Sequence, residues 1–358
     1  MPLPFTFEAT PSSTSVPGPT NQPQGLMTRR TAAFITTAML ALATTSALLA
    51  SAPARAAAWP EKSITLVVPY TPGTGIDIVG RQLAARLPKV LGQAVVVENV
   101  AGASGNIGSD RVARAPADGH TLLVQVNTLV MNKSLFKSLS YDPVSDFAPV
   151  ALTSWGTLLL VTNPAVQKAE TVAQMLAAAR AKPGALTYGT PGNGTPHHLA
   201  MALSLQKAGE AQMLHVPFKG TAGAVTDLLG GRLDFMFLPV HVALPHIQAG
   251  KLRALATGSE KRLAQLPSVP TLAEEGLAVG NLDMWYGVLA PKGTPPEIVS
   301  RLNQEITQIL RQPDLAAAFD AQGMVPAPAS SPASFADIIS RDAQRWAEVV
   351  RVGRIAAD

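Results

Sequence analysis

The chain has no cysteine. Thiol nucleophiles, thiolate metal sites, a disulfide framework and a lipid-modified cysteine at an export site are all excluded. Charge is scarce too: 15% of the 358 residues are Asp, Glu, Lys or Arg, and the basic ones are scattered without a run. That is no nucleic-acid footprint. Motifs for the common chemistries are also missing. There is no G-x-x-x-x-G-K-[ST] phosphate loop. Gly73-Thr74-Gly75 is followed by Ile78, and Gly192-Asn193-Gly194 by His197, where a dinucleotide fingerprint needs glycine. Gly102-Ala103-Ser104-Gly105 ends in Asn106 where a nucleophile elbow needs glycine. None of the six histidines forms H-E-x-x-H, and His197 and His198 are adjacent, about 100° apart on a helix. No cofactor, metal or catalytic constellation is expected.

What is present is a repeated construction. Leu66-Val67-Val68 is an apolar run of strand type. Pro69 to Gly75 turns it through two prolines and two glycines. Ile76, Val79, Leu83 and Leu87 then share a helical face, with Pro88 as the stop. The same order recurs more than a hundred residues later. Ala185 to Tyr188 reads as strand, Gly189-Thr190-Pro191-Gly192-Asn193-Gly194-Thr195 as turn, and Pro196 opens a helix. A glycine-rich turn before a helix points free N–H groups and a positive dipole end at an anion. Two such loops in separate halves suggest a ligand held between two lobes. One carboxylate of a small diacid would sit on each loop.

The start of the chain differs from the rest. Residues 1–26 are rich in Pro, Ser and Thr, and read as a disordered leader or a mis-assigned start. Residues 27–56 read as a signal peptide. Arg29-Arg30 is the positive region, Thr31 to Ala50 carries no charge, and Ala54-Arg55-Ala56 is a small-x-small cleavage site. An uncleaved anchor is the other reading, but Thr and Ser dilute the run. The expected product is free in the periplasm.

Beyond residue 57 strands alternate with helices, which predicts α/β layers with mainly parallel sheets. About 300 residues favour two lobes. Ala94 to Glu98 is a strand leading into a third glycine-rich turn, Gly102 to Gly108, with a helix over 109–115. Residues 141–149 read as an irregular connection, and 157–162, 212–216 and 285–290 as strands. Thr171 caps a helix to Ala181. The final helix, 334–350, has Phe335, Ile338, Ile339, Trp346 and Val349 as its apolar face.

The pieces Val96-Val97-Glu98-Asn99, Ala101 to Gly108, Ala117-Asp118-Gly119-His120-Thr121, Tyr188 to Thr195 with His198-Leu199-Ala200, His215-Val216-Pro217-Phe218-Lys219-Gly220 and Ala290-Pro291-Lys292-Gly293-Thr294-Pro295 occur in this order. Together they make the chain resemble the solute-binding receptors of tripartite tricarboxylate transporters, the Bug or TctC-like family. The resemblance implies a type II periplasmic-binding-protein fold. Lobe one would take 57–156 and 284–358, and lobe two 157–283, with the crossings near 157–164 and 280–285. It implies a monomer that delivers a small organic anion to membrane permease subunits. The anion would be held by loop amides, hydroxyls and waters rather than by an arginine clamp. Carried to this sequence, the ligand-binding residues are Tyr70, Thr71, Gly73, Thr74, Gly75 and Asp77 on the first loop. Thr190, Pro191, Gly192, Asn193, Gly194 and Thr195 follow on the second, with Ala103, Ser104 and His198 beside them. Asp77 would repel an anion if it pointed inward, so it is assigned to the first helical turn or to a ligand's amino group. Thr74 and Phe218 depart from the family pattern, which has glycine and often tyrosine there. Two other functions fit less of the sequence: a ligand module for a membrane sensor kinase, and an exported α/β hydrolase using His198 or His215.

Overall fold

The computed structural model describes residues 59–209, 211–353 and 355, together with Gly18. The leader and signal-peptide segments, 1–26 and 27–56, lie outside the described residues apart from that glycine.

The strands are β1 (Ile64–Val68), β2 (Val95–Asn99), β3 (Thr121–Val126), β4 (Phe147–Gly156), β5 (Leu158–Thr162), β6 (Thr187–Thr190), β7 (Leu214–Pro217), β8 (Phe235–Pro239), β9 (Arg253–Thr257), β10 (Met284–Pro291) and β11 (Met324–Pro326). They form two sheets. One has the order β11-β4-β10-β3-β1-β2 and the other β7-β6-β8-β5-β9. The central strands are mostly apolar, because helices or loops cover both of their faces. All eight residues of β10 are buried. In β5, Leu158 and Leu160 join the large core, while Leu159 and Val161 join a second cluster on the opposite face, as the two-residue period of a strand requires.

The expectation of mainly parallel sheets does not hold. β1 runs parallel to β2 and β3, and β6 to β7 and β8. β10 is antiparallel to β3 and β4, β11 to β4, and β5 to β8 and β9. The chain leaves the first sheet after β4, builds the second, and returns to insert β10 between β3 and β4. A fully buried apolar run looks the same in either direction, so sequence could not show this.

Among the described helices, α1 (Gly75–Ala84) buries Ile76, Val79 and Leu83. Leu87 opens a separate short helix, α2 (Leu87–Leu91), with Pro88 in its first turn. Pro88 therefore starts a helix rather than stopping one, since its missing N–H is harmless there. Then come α3 (Asn106–Ala113), α4 (Thr128–Leu135), α5 (Val172–Ala181), α6 (Pro196–Lys207), α7 (Thr221–Leu229), α8 (Val240–Gln248), α9 (Pro296–Leu310), α10 (Pro313–Asp320) and α11 (Pro332–Gly353). The segment read as an irregular connection becomes the ten-residue strand β4 from Phe147 onward. α4, α10 and β11 were not foreseen. α11 buries Phe335, Ile339, Trp346 and Val350, while Ile338 and Val349 stay half-buried. Its Phe335 ring meets Trp285 of β10 edge-on at 5.3 Å.

Two segments join the sheets: residue 157 between β4 and β5, and 258–283 between β9 and β10. They are tied to each other. Thr157 Oγ1 donates to Asp283 at 2.6 Å, Ser259 Oγ donates to its other oxygen at 3.2 Å, and Gly258 N–H donates to Leu158 O at 2.8 Å.

Candidate functional site

The first loop carries the chain from β1 into α1. Gly73 takes φ +84°, a conformation that favours glycine, and its N–H donates to Asp77 Oδ2 at 2.9 Å. Arg81 Nε and Asn99 Nδ2 also donate to that carboxylate, each at 2.9 Å. Burial pushes the Asp77 carboxyl up. The Arg81 guanidinium, the Gly73 N–H and the Asn99 amide outweigh this and hold it below its ordinary value. Asp77 thus sits in the first helical turn. Thr74 Oγ1 donates to Thr71 O at 3.1 Å, and no side chain caps α1. The first N–H groups of α1 have no partner within the helix.

The second loop is organised differently. Its hydroxyls are used within the loop and by its support. Thr190 Oγ1 lies 2.7 Å from His215 Nε2 and donates to Gly192 O at 3.2 Å, and Thr195 Oγ1 donates to Gly192 O at 2.8 Å. Gly194 N–H donates to His198 Nδ1 at 3.2 Å. The His198 ring stacks on His215 at 4.1 Å, and His215 on Tyr188 at 4.8 Å. Burial, and then the neighbouring His215, push His198 down to about 4. His198 therefore holds the loop from beneath. The third turn holds it from the side. Ala103 and Ser104 take φ +46° and +52°, and Ser104 Oγ donates to Asn193 O at 2.8 Å. Tyr70 Oη and Asn132 Nδ2 donate to Ser104 O, both at 3.0 Å.

A cavity of about 480 Å³ lies in front of the first loop. Tyr70, Thr71, Gly73, Thr74, Gly75, Pro191 and Thr195 line it. Asp77, Ala103, Ser104, Thr190, Gly192, Asn193, Gly194 and His198 do not. Much of the remaining lining comes from outside the two loop–helix units that the sequence singled out. Thr128 opens α4, His197 is in the first turn of α6, Thr221 and Ala222 open α7, and His241 and Val242 are in the first turn of α8. With Gly75 and Ile76 of α1, the starts of five helices converge on one cavity, and none has a side-chain cap. Among the described residues, no Asp, Glu, Lys or Arg is in the lining. Val225, Leu229, Pro239 and Met284 give it apolar walls, and Tyr286 of β10 stands beside Gly75. A Cβ on Gly75 would lie 2.6 Å from the Tyr286 hydroxyl and 3.2 Å from His241 Cε1. Gly75 is therefore small because two side chains close on the helix start.

The histidine that reaches the cavity is His197, not His198. The ~100° step between them turns His198 to the ring stack and His197 to the lining. His197 is only 9% exposed, and neither ring nitrogen has a hydrogen-bond partner among the described residues; the same is true of His241 Nε2. Burial pushes His197 down to about 3, assisted by His241, and His241 down to about 4. Both rings are neutral near pH 7. Tyr286, inside an all-buried strand, offered no sequence signal. His241 did offer one: it follows a strand directly at a helix start, the same construction as the two loops but without glycine. The described residues contain no group of three His, Asp or Glu that could hold a metal ion. None of their helices is long and apolar enough to cross a membrane.

A sequence profile described as "Tripartite tricarboxylate transporter family receptor" matches residues 79–353. The chain belongs to this family of transporter receptors. The receptor is 39% identical over 303 residues to protein BugT of Bordetella pertussis, covering 84% of this chain and 92% of BugT. Its fold matches solved structures over nearly their whole length. The Rhodopseudomonas palustris protein Rpa4515, solved with adipate, aligns with TM-score 0.78 and 33% identity over 83% of this chain and 99% of its own. MatC of the same organism, solved with malate, aligns with TM-score 0.76 and 31% identity over 82% of this chain and 100% of its own. The receptor thus has the mixed α/β, two-sheet fold of TctC- and Bug-type periplasmic binding proteins.

Proposed function

We propose that the receptor binds a small organic carboxylate in the 480 Å³ cavity and hands it to membrane permease subunits as a monomer. The observation that carries this is the convergence of five uncapped helix starts on a cavity without one charged side chain. Backbone N–H groups and aligned dipoles favour an anion there, with no acidic side chain in the described lining to repel it. Adipate and malate, bound by the two R. palustris relatives, indicate the ligand class.

The ligand's first carboxylate rests on Thr74, Gly75 and Ile76, beside Tyr70 and Thr71. The second Gly-rich loop contributes Pro191 and Thr195 directly. Thr190, Gly192, Asn193, Gly194 and His198 shape that loop, Ala103 and Ser104 clamp it, and Asp77 fixes the first one. The lobes are built on the two sheets, lobe one from 57–156 and 284–358 and lobe two from 157–283. The Thr157–Asp283–Ser259 clasp is the hinge. The receptor reaches the periplasm through a cleaved signal peptide at 27–56, and no catalysis takes place in the cavity, which offers no activated nucleophile.

A thermal-shift screen of mono-, di- and hydroxycarboxylates against the purified protein tests this. An acid at a hundred times its dissociation constant stabilises by about 2.7 kcal/mol, which raises Tm measurably. If no acid in the panel, adipate and malate included, shifts Tm, the carboxylate reading fails.

A further inference from the structure

His197 and His241 are two of the imidazoles in the cavity wall. Between them they carry three buried ring nitrogens without a hydrogen-bond partner among the described residues, on residues that line a cavity with no charged side chain among the described residues. A buried polar group left unpaired is costly, and side chains that accept this cost are commonly ligand contacts. His241 lies against Gly75 at the start of α1, where an anion is most favoured, and His197 is close enough that charge on one ring disfavours charge on the other.

We propose that His197 and His241 form the proton-accepting end of the ligand site: when a dicarboxylate enters, one carboxylate hydrogen-bonds this pair, and one of the two imidazoles takes up a proton from solvent. This rests on the carboxylate reading above and names the residues and charge state that complete it. A dianion entering a cavity without a cation is poorly compensated by dipoles alone. A neutral imidazole is the one group in the wall that can become a cation, and a carboxylate within hydrogen-bond reach stabilises that form strongly. Charge on one ring disfavours charge on the other, so uptake of one proton rather than two is expected.

Among the titratable groups facing the pair, the phenols and carboxylates do not offer an alternative proton acceptor. Tyr70 and Tyr286 are phenols pushed up by burial. His246 of α8, also in the lining, is a third imidazole that could take up the proton. Behind α6 stands the Tyr188–His198–His215 stack. The carboxylates on the packed elements are engaged elsewhere: Asp77 with Arg81, Asp227 with Arg232, Asp283 with Thr157 and Ser259, and Asp342 with Trp285. The apo pair is held neutral by burial, so binding must move the proton in. The linkage sign follows: affinity for a dianion rises as pH falls, by up to about tenfold per pH unit where a full proton is taken up.

Titration calorimetry with adipate at pH 7.0, in phosphate and in Tris, measures the proton count from the difference in buffer ionisation heat. Wild type is expected to take up between about half a proton and one proton per adipate, and to bind at least threefold more tightly at pH 6.5 than at 7.5. H197Q and H241Q, with fold checked by circular dichroism, are expected to lose most of the uptake and to bind about tenfold more weakly. Adipate binding by wild type with no proton uptake and no pH dependence overturns this proposal and leaves the carboxylate reading standing. Failure of adipate and of every other acid to bind overturns both.

Discussion

Gly75 is where the first loop meets a strand of its own sheet and a helix of the other segment. A valine there would collide with the Tyr286 hydroxyl and the His241 ring, at 2.6 and 3.2 Å from the new Cβ. It would also fill the space in front of the α1 N–H groups. We expect Gly75→Val to weaken carboxylate binding at least about tenfold, a loss of about 1.4 kcal/mol, with the far-UV circular dichroism unchanged. Titration calorimetry checks this. A second residue makes a pH prediction. Asp342 accepts from Trp285 Nε1 at 2.9 Å, and burial pushes its carboxyl up to about 6. A raised carboxyl favours the fold when protonated, so its contribution is greatest below its unfolded value near 4 and is lost as pH rises through 6. Asn keeps the acceptor for Trp285 without the charge. Asp342→Asn should therefore stabilise at pH 7.5, on the order of 1 kcal/mol after allowing for partial exposure, with the gap closing at pH 4 in paired urea melts. At this scale the sequence was partly legible. The repulsion argument left Asp77 either the first helical turn or a ligand's amino group, and the structure has it in the turn. The choice of His198 over His197 depended on which of two adjacent rings the Tyr188 and His215 stack would claim, and those residues come from two other strands.

Elements whose signals are local were the most legible. Thr171 was assigned as an N-cap from sequence, and its hydroxyl accepts from Gln174 N–H at 3.2 Å. Thr171→Ala should cost about 1 kcal/mol, read as a lower urea midpoint with unchanged adipate affinity, because α5 does not touch the cavity. Both β-turn-α units were legible for the same reason: glycine, proline and period announce them within a dozen residues. β4 was not, because Pro149 interrupts its apolar run and its partners β10 and β11 lie far along the chain. The part of the site built by α7 and α8 was also hidden. Their starts lack the glycine-rich turn that marks α1 and α6, and only tertiary folding brings them to the cavity.

For the whole molecule, buried neutral histidines set the acid limit. Burial pushes His197 down to about 3, and His198, His215 and His241 to about 4. A depressed histidine favours the fold while neutral. That stability is complete above the unfolded value near 6.5 and is lost as pH falls toward 4. The opposite trend of Asp342 and Asp283 comes from two groups against four, so Tm should fall between pH 6.5 and 4, and adipate should lessen the fall in the upper part of that window. Differential scanning calorimetry in steps across this range checks both. Two lobes were suggested by the paired loops and the chain length, but no composition shift marks the segments that join the two sheets, 157 and 258–283. The central claim is that a carboxylate sits on the start of α1, inside a ring of helix N-termini. A crystal structure of the receptor with the acid that gives the largest thermal shift tests it most directly. The account predicts a carboxylate oxygen about 2.9 Å from the N–H of Gly75 or Ile76, with the rest of the ligand between Tyr286 and the starts of α6, α7 and α8. Ligand density elsewhere, with this cavity filled only by water, would contradict it.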